Sequence, residues 1–163
     1  MLVLRSVLFA LLVPGTVTVL VPCVLASRRL PSVIDHWGAL QSLSLAPVII
    51  GAAILVRCIW DLTAIGRGTL AHIDPPKKLV VQGLYRYVRN PMYLGALVLL
   101  LGEALALQSE AILQWTVAWF LGINAVVIFY EEPTLRRRFG ESYEQYRRSV
   151  GRWIPRSPFH GAT

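Results

Sequence analysis

The chain is poor in the residues that usually build a disulfide-linked or metal-binding protein. Among its 163 residues it has two cysteines, Cys23 and Cys58, and three histidines, His36, His72 and His160. Both cysteines lie inside apolar runs, and the histidines are too scattered to form a ligand pattern. We therefore expect neither a disulfide nor a metal site. Acidic residues are also few, nine against sixteen lysines and arginines.

The chain is rich in hydrophobic residues and comparatively poor in charged ones. Hydrophobic residues make up 55% of the chain, and the mean hydropathy is +0.57, well above the value of a soluble domain of this length. The charges are confined to a few segments, which is typical of a small polytopic membrane protein with one domain, residues 1–163. Basic loops beside anionic lipid explain the net charge of +7, so we expect a membrane and no nucleic acid as the partner.

Four apolar segments predict an all-α membrane bundle, since a spanning helix needs about 20 apolar residues. They cover residues 4–26, 43–62, 91–107 and 111–130. Pro14, Gly15 and Pro22 predict a kink or break in the first segment, and a fifth span stays open if that segment forms two half-helices. The short link between the last two segments predicts an antiparallel hairpin. We expect the first segment to be retained, because no small-residue cleavage site followed by a soluble domain is evident.

The distribution of basic residues predicts the orientation of the bundle. Cationic side chains are concentrated in the loop before the third segment and in the C-terminal tail, which lie on one side of a four-span protein. The positive-inside rule places both in the cytoplasm.

The tail itself has the pattern of a basic amphipathic helix. Leu135, Phe139, Tyr146 and Val150 recur on one face, and Gly140 is a candidate break. Two interpretations stay open, a helix that lies on the membrane surface and a solvated cap that anchors the bundle.

Two polar clusters lie at the same end of neighbouring apolar segments. The stretch 77–95 carries basic side chains and tyrosines, with Pro91 where the third helix should begin. Asn90 is a candidate N-cap, and free N–H groups at that helix start would attract a carboxylate. Glu131 and Glu132 follow the fourth segment. Together these clusters predict one site at the boundary between water and lipid.

Helix stability does not account for the two glutamates. They oppose the helix dipole at the predicted end of the segment, and they lie at the edge of the hydrocarbon. One interpretation is neutralisation by Arg136 or Arg137 in the next turn. The other is a carboxylate that receives the ammonium of a cationic ligand.

The tyrosines of the first cluster also have two interpretations. Tyr85, Tyr87 and Tyr93 suit an interfacial aromatic belt. Beside Arg86 and Arg89 they suit an amphiphilic ligand better, and an aromatic face would attract a sulfonium through a cation–π contact.

The third segment contains a row of small residues and one acid. Gly95, Gly102 and Ala106 fall on one stripe, which predicts close helix packing or, alternatively, room for a cofactor. Glu103 is a functional candidate because an acid inside a span is costly. It would otherwise lie near the outer interface or pair with Arg57.

Four short runs occur together in the second half of the chain. They are GLYRYVRNPMYLG at 83–95, Glu131-Glu132, FGESYEQY at 139–146 and RWIP at 152–155. In combination they resemble the isoprenylcysteine carboxyl methyltransferase family, whose broader group includes integral-membrane phospholipid N-methyltransferases. The resemblance covers residues 77–155, which it implies to be the cofactor-binding half.

The resemblance implies an S-adenosylmethionine-dependent methyltransferase acting on a lipophilic acceptor at the cytoplasmic boundary of the membrane. Carried over residue by residue, its cofactor contacts fall on Lys77, Lys78, Leu79, Val80, Tyr85, Asn90, Pro91, Met92, Tyr93 and Glu131. As the catalytic pair, Arg89 would face an anionic head group and Glu132 would orient an amine acceptor. A phospholipid amine, another lipid and a thiol all stay open as acceptors, and the oligomeric state is undetermined.

Two positions depart from the pattern of that family. The usual Arg-His-Pro is Arg89-Asn90-Pro91 here, so this position has no protonatable ring for general-base work. The isoprenylcysteine enzymes also carry a substrate-linked arginine four residues before the first acid, where this chain has Val127. The second departure weakens the case for carboxyl methylation specifically, because a prenylcysteine carboxylate would lose its obvious partner.

Two other classes of protein stay open. Membrane sterol reductases resemble the family in their last helices and use a nicotinamide cofactor. They typically have an acid directly after the glycine at which this chain has Gly95 followed by Ala96, which favours the methyltransferase. A non-catalytic membrane scaffold of the same fold is the other alternative.

Overall fold

The computed structural model of the protein describes residues 14–27, 37–64 and 79–158, and every regular element within them is helical. Lys77 and Lys78, two predicted cofactor contacts, lie outside the described residues. The first part of the first apolar segment lies outside them as well.

Within these described residues, four apolar helices form the body of the protein. They are α1 Thr16–Ala26, α2 Ala39–Ala64, α3 Pro91–Ala106 and α4 Glu110–Val126. A 3₁₀ turn at Gly83–Arg86 precedes α3. A π-helical segment, Val127–Glu131, leads from α4 into two short helices, α5 Glu132–Phe139 and α6 Glu141–Ser149.

In the described part of the chain, two helical stretches are long and apolar enough to cross a membrane, Ala39–Leu62 and Glu110–Phe139. In the most apolar part of each, only 22% and 17% of the residues are buried. Their apolar side chains therefore face outward, unlike those of a core helix in a soluble protein. α1 and α3 are apolar but shorter. The predicted all-helical class is confirmed, whereas the count of four or five spans and the cytoplasmic side of the tail stay predictions.

α1 is irregular beside Pro22, one of the residues for which a kink or break is predicted, although it is not interrupted there. It is π-helical over Thr16–Leu20, and the N–H of Val21 donates to the carbonyl of Thr16, five residues earlier. Pro22 follows directly. A proline has no N–H and its ring crowds the preceding turn, so the wider π turn lets the helix pass that point.

A π turn directly before a proline also occurs after α4, where the helical stretch continues beyond the end predicted from the sequence. Pro133 is preceded by a π turn in which the N–H of Glu132 donates to the carbonyl of Val127. The helical stretch then runs on to Phe139. The prediction that Glu131 and Glu132 end a helix was therefore wrong, because the π turn relieves the constraint that Pro133 imposes on an α-helix.

α2 and α3 approach most closely at glycines. A Cβ atom on Gly51 would lie 2.5 Å from the backbone nitrogen of Leu99 and 2.6 Å from the carbonyl oxygen of Gly95. A Cβ atom on Gly102 would lie 2.8 Å from the backbone nitrogen of Val48. The predicted small-residue stripe thus allows the backbones to pack, and at these glycines α2 fills the space that a cofactor would need.

The link between α3 and α4 forms the predicted tight hairpin. Gln108 has a positive φ of 46°, which reverses the chain direction. The side chain of Ser109 then caps α4 by accepting a hydrogen bond from the N–H of Ile112 at 3.4 Å.

The C-terminal tail, which consists of α5, α6 and the described residues after them, folds back onto the segment before α3. Its two helices are separated at Gly140, which has a φ of 51°, as predicted. Tyr143, Tyr146 and Val150 are buried, with Leu79 packed against them. The apolar face of the tail is packed against the protein, with Leu135 and Phe139 half-buried. The choice between a helix on the membrane surface and a solvated cap stays a prediction.

Candidate active site

A cavity of about 370 Å³ lies between the helical bundle and the tail, within the size range of small-molecule sites. Its lining changes from apolar to polar along the helical stretch Glu110–Phe139. Trp119, Ile123 and Val126 form an apolar part, and Glu131 and Glu132 lie at the polar part. The cavity can therefore hold a ligand with one apolar and one charged portion.

Most of the site residues predicted from the sequence line this cavity. The predicted cofactor contacts among them are Leu79, Val80, Tyr85, Asn90, Met92, Tyr93 and Glu131. Arg89 and Glu132, the predicted catalytic pair, line it too. Among the predicted contacts that the structure describes, Pro91 does not line the cavity, because it is buried as the first residue of α3 and determines where that helix begins.

Glu131 lies against aromatic side chains. The hydroxyl of Tyr93 donates a short hydrogen bond to Oε1 of Glu131, although the two residues are 38 positions apart. The ring of Tyr93 meets that of Trp119 edge to face, with 6.4 Å between the centroids. A carboxylate beside aromatic rings is an arrangement that suits an organic cation.

Glu132 is held by two arginines from distant parts of the chain. Nη1 of Arg89 lies 2.9 Å from its Oε1. Arg152 reaches both carboxylate oxygens, with Nε 2.6 Å from Oε1 and Nη2 3.0 Å from Oε2. The hydrogen bond to Glu132 raises the pKa of Arg152. Both oxygens of this carboxylate, which is 6% exposed as a residue, are therefore engaged.

Glu132 is thus neutralised, but by other arginines than the sequence suggested. Arg136 in the next turn pairs with Glu144 at 2.9 Å instead. Within the described residues, the ion pairs of Glu132 are those with Arg89 and Arg152. The prediction failed because it considered only residues one helical turn away, whereas the folded tail brings Arg152 alongside.

Arg89 is a largely but not fully buried cation whose hydrogen-bond donors are only partly used within the described residues. Its side chain is 10% exposed, and its Nη1 also donates to the hydroxyl of Tyr143 at 3.2 Å. Its Nε has no hydrogen-bond partner in the part of the chain that the structure describes. A buried donor without a partner is uncommon and costly, and this one belongs to a side chain in the cavity wall.

Residues 150–156, the C-terminal strap, run alongside the residues that lead into α3. The N–H of Arg89 donates to the carbonyl of Gly151, and the N–H of Arg156 donates to the carbonyl of Tyr87, each at 2.9 Å. The two segments form a single parallel bridge between Val88 and Gly151. This pairing fixes the strap against the polar part of the cavity.

Asn90 contributes to the strap and not to the helix cap. It occupies the N-cap position of α3 but makes no capping hydrogen bond with its side chain. Its Nδ2 donates instead to the carbonyl of Arg152 at 3.2 Å. The prediction of Asn90 as a side-chain N-cap was therefore wrong, because the strap competes for the amide.

Three buried tyrosines line the cavity where the loop before α3 contacts the tail. The hydroxyl of Tyr146 donates to the carbonyl of Tyr85 at 2.6 Å. Burial raises the pKa of Tyr85, Tyr143 and Tyr146. Their hydroxyls therefore remain neutral hydrogen-bond donors at physiological pH.

Several lining or supporting residues were not predicted from the sequence. Val17 and Thr18 of α1 line the cavity together with Pro14 just before it, and the indole of Trp115 holds this helix by donating to the carbonyl of Val17 at 3.2 Å. Arg152 stood in the RWIP run, but that run alone gave no sign of its partner.

Glu103 lies outside the cavity lining. Its suggested partner, Arg57, pairs with Asp61 at 3.2 Å, so that alternative was wrong. The Oε2 atom of Glu103 has no hydrogen-bond partner within the described residues. The structure gives this acid no part in the candidate site.

The fold and the cavity define a helical membrane protein with a binding site that is charged in one part and apolar in the other. Residues 40–142, more than half of the chain, match the family described as phospholipid methyltransferase. The chain belongs to the phospholipid methyltransferase family. This match confirms the relationship to membrane methyltransferases that the sequence runs indicate.

Named relatives agree with that assignment. The chain is 38% identical over 97 residues to the protein-S-isoprenylcysteine O-methyltransferase of Schizosaccharomyces pombe, covering 55% of this chain and 40% of the relative. It is 32% identical over 132 residues to the probable protein-S-isoprenylcysteine O-methyltransferase of Oryza sativa, covering 77% and 65%. It is 30% identical to protein-S-isoprenylcysteine O-methyltransferase B of Arabidopsis thaliana, covering 77% and 64%. The chain thus spans less than two thirds of each relative.

Proposed function

We propose that the protein is a methyltransferase that uses S-adenosylmethionine and acts on a lipophilic acceptor at the membrane boundary. One observation carries the proposal, the carboxylate of Glu131 beside Tyr93 and Trp119 in a cavity of about 370 Å³. Membership of a family of methyltransferases supports it independently.

The residues in the cavity fit the proposed donor. S-adenosylmethionine supplies an electrophilic methyl group on a sulfonium, and it also carries an ammonium. Glu131 would hold the ammonium, and the faces of Tyr93 and Trp119 would favour the sulfonium through cation–π contact. Val80 and Met92 offer apolar wall to the remainder.

The contribution of the protein to the reaction is positioning and exclusion of water. Tyr93 orients the carboxylate of Glu131 through its hydroxyl, so the donor would meet a carboxylate that is already held in place. Val126 and Val127 line the neighbouring wall and keep water from the transfer path. Holding donor and acceptor in line turns a bimolecular step into an effectively unimolecular one.

The acceptor in this proposal needs no deprotonation at Asn90. The amide of Asn90 is a donor to the carbonyl of Arg152 and cannot act as a base near neutral pH. Nucleophiles that react unprotonated, such as a carboxylate, a thiolate or a neutral amine, suit such a site. The relatives are named for isoprenylcysteine, but the acceptor here is proposed only as a lipophilic molecule.

We assign Arg89 to an anionic group of the acceptor. Support comes from its burial and from the Nε donor that has no partner within the described residues. Glu132 would hold Arg89 in place. The role predicted for Glu132 from the sequence, orienting an amine acceptor, requires a carboxylate oxygen that is not already engaged by Arg89 or Arg152.

We also propose that the polar part of the cavity and the tail face the cytoplasm. The basic residues of the tail support this orientation through the positive-inside rule. The donor would then enter from water and the acceptor laterally from lipid, past the apolar side chains that α1 and α4 present outward.

Calorimetric titration of the protein in detergent tests the proposed function. We expect S-adenosylmethionine to bind and NADPH not to bind. Binding of NADPH alone would favour a reductase, and binding of neither would leave a non-catalytic scaffold. A radiolabelled-methyl assay on total membrane lipid then identifies the acceptor fraction, with small thiols tested separately.

A further inference from the structure

We propose that Arg152, on the C-terminal strap, is a positioning residue that sets the orientation of Glu132 and Arg89 in the polar part of the cavity. The inference rests on the proposed function, since it concerns the same site. Arg152 does not belong to the cavity lining, so it would act through Glu132 and not by touching a ligand. It lies beyond residues 40–142, the range that matches the family.

The geometry of the contact carries the first step. The guanidinium of Arg152 meets both oxygens of Glu132, at 2.6 Å and 3.0 Å. A two-point contact of this kind fixes the rotation of a carboxylate as well as its distance. Arg89 reaches the same carboxylate with Nη1 alone and cannot impose that rotation.

The strap holds Arg152 in place from both sides. Asn90 donates to its carbonyl at 3.2 Å. The indole of Trp153, the next residue, donates to Oδ1 of Asn124 at 2.9 Å, and its ring meets that of Phe120 with 5.1 Å between the centroids. Because the backbone around Arg152 is anchored to α3 and α4, its side chain reaches Glu132 already oriented.

The consequence falls on Arg89. Its Nη1 is shared between Glu132 and Tyr143, so the position of Glu132 determines where the rest of the guanidinium points. That includes the Nε donor without a partner in the described part of the chain. Loss of the Arg152 contact leaves the buried carboxylate of Glu132 with Arg89 as its single arginine partner. That carboxylate would rotate to regain hydrogen bonds and would move Arg89 with it.

Three variants separate geometry from charge. Arg152→Gln removes the cation, and Arg152→Lys keeps the charge but donates from a single nitrogen that cannot span both oxygens. Arg136→Gln is the matched control, because it breaks the ion pair with Glu144 on an exposed part of the tail. Each variant is purified in detergent, and its monodisperse fraction is used.

The first measurement is the rate of methyl transfer to the acceptor fraction found in the radiolabelled-methyl assay, at saturating S-adenosylmethionine, with the melting temperature alongside. We expect Arg152→Gln to lower this rate about tenfold, the size of effect that misplacement of a charged partner produces, and to change the calorimetric affinity for S-adenosylmethionine less than twofold. Arg152→Lys should recover the melting temperature but not the rate, and Arg136→Gln should change the rate less than twofold. A wild-type rate in Arg152→Gln, or full recovery of the rate in Arg152→Lys, would overturn the inference.

The second measurement does not depend on cofactor binding. The Nε–H resonance of Arg89, assigned by its disappearance in Arg89→Lys, is followed in proton–nitrogen spectra of the ligand-free protein. We expect it to shift in both Arg152 variants and to stay in place in Arg136→Gln. An Arg89 resonance that does not move in the Arg152 variants would contradict the positioning role of Arg152, even if S-adenosylmethionine binds. A shifted resonance in a protein that binds no S-adenosylmethionine supports the geometry and sinks the proposed function instead.

Discussion

The hydroxyl of Tyr146 donates a 2.6 Å hydrogen bond to the backbone carbonyl of Tyr85, across 61 residues of sequence. Tyr146 belongs to α6 and Tyr85 to the 3₁₀ turn before α3, and both are buried. The contact therefore joins the tail to the loop at the point where both line the cavity. The tail forms a wall of the candidate site, so its stability and that of the site are linked.

We expect Tyr146→Phe to destabilise the protein by about 1–3 kcal/mol, since it leaves a buried carbonyl without this donor. Tyr87→Phe is the control, because Tyr87 is 43% exposed and water can replace its contacts. The free energy of unfolding in detergent, or the melting temperature, measures the difference. Equal stability of the two variants would show that the hydrogen bond contributes nothing measurable.

A second prediction concerns alkaline pH. Burial raises the pKa of Tyr146 above its ordinary value of 10.0, so above that pH the unfolded protein releases a proton that the folded protein retains. Because the folded state then binds more protons, the free energy of unfolding falls as pH rises. The contribution is complete below about pH 10 and is lost at higher pH.

Melting temperatures between pH 8 and pH 11 check this prediction by comparing the wild type with Tyr146→Phe. The variant starts lower but should lose less stability over the upper part of the range. Parallel curves for the two proteins would contradict it. Tyr85 and Tyr143 are present in both proteins, so the burial that raises their pKa is common to the two curves.

The sequence was informative where a side chain alone limits what the chain can do. Pro91 predicted the start of α3, and the apolar runs predicted the helices, because a missing N–H and a costly exposed backbone act locally. Glu131 was predicted as a site residue because a carboxylate at the hydrocarbon edge is costly unless a cation lies close to it. Tyr93 was predicted with it because an aromatic face attracts such a cation.

The sequence was uninformative where two distant segments decide the outcome. Arg152 meets Glu132 only because the chain turns at Gly140 and the strap pairs with the residues before α3. No periodicity links an arginine to a glutamate twenty positions earlier. The end predicted for α4 failed for a related reason, since Pro133 follows a π turn that a rule about single residues does not anticipate.

A third prediction tests the close approach of α2 and α3. A Cβ atom on Gly51 would lie 2.5 Å from a backbone nitrogen of α3, and backbone cannot move aside as a flexible side chain can. We expect Gly51→Ala to destabilise the protein by about 1–3 kcal/mol through overpacking.

The matched control for that variant is Gly122→Ala in α4. No heavy atom within 4 Å would meet a Cβ atom on Gly122, and alanine favours a helix over glycine. Gly122→Ala should therefore unfold at the same temperature as the wild type or higher. If Gly51→Ala behaves like Gly122→Ala, the contact between α2 and α3 is looser than the structure indicates.

The last prediction tests how Glu131 and Tyr93 act on a cationic ligand. Glu131→Gln removes the charge but keeps the shape, and we expect the dissociation constant for S-adenosylmethionine to rise about 10- to 100-fold, the range of a hydrogen bond to a charged group. Tyr93→Phe should cause a smaller loss. Because its hydroxyl acts through the carboxylate of Glu131, the double variant should bind no more weakly than Glu131→Gln alone.

Glu141→Gln, at an exposed acid of α6, is the control and should leave calorimetric affinity unchanged. S-adenosylhomocysteine carries the same ammonium without the sulfonium, so Glu131→Gln should weaken its binding by a similar factor. Wild-type affinity in Glu131→Gln for both ligands would remove Glu131 from the site.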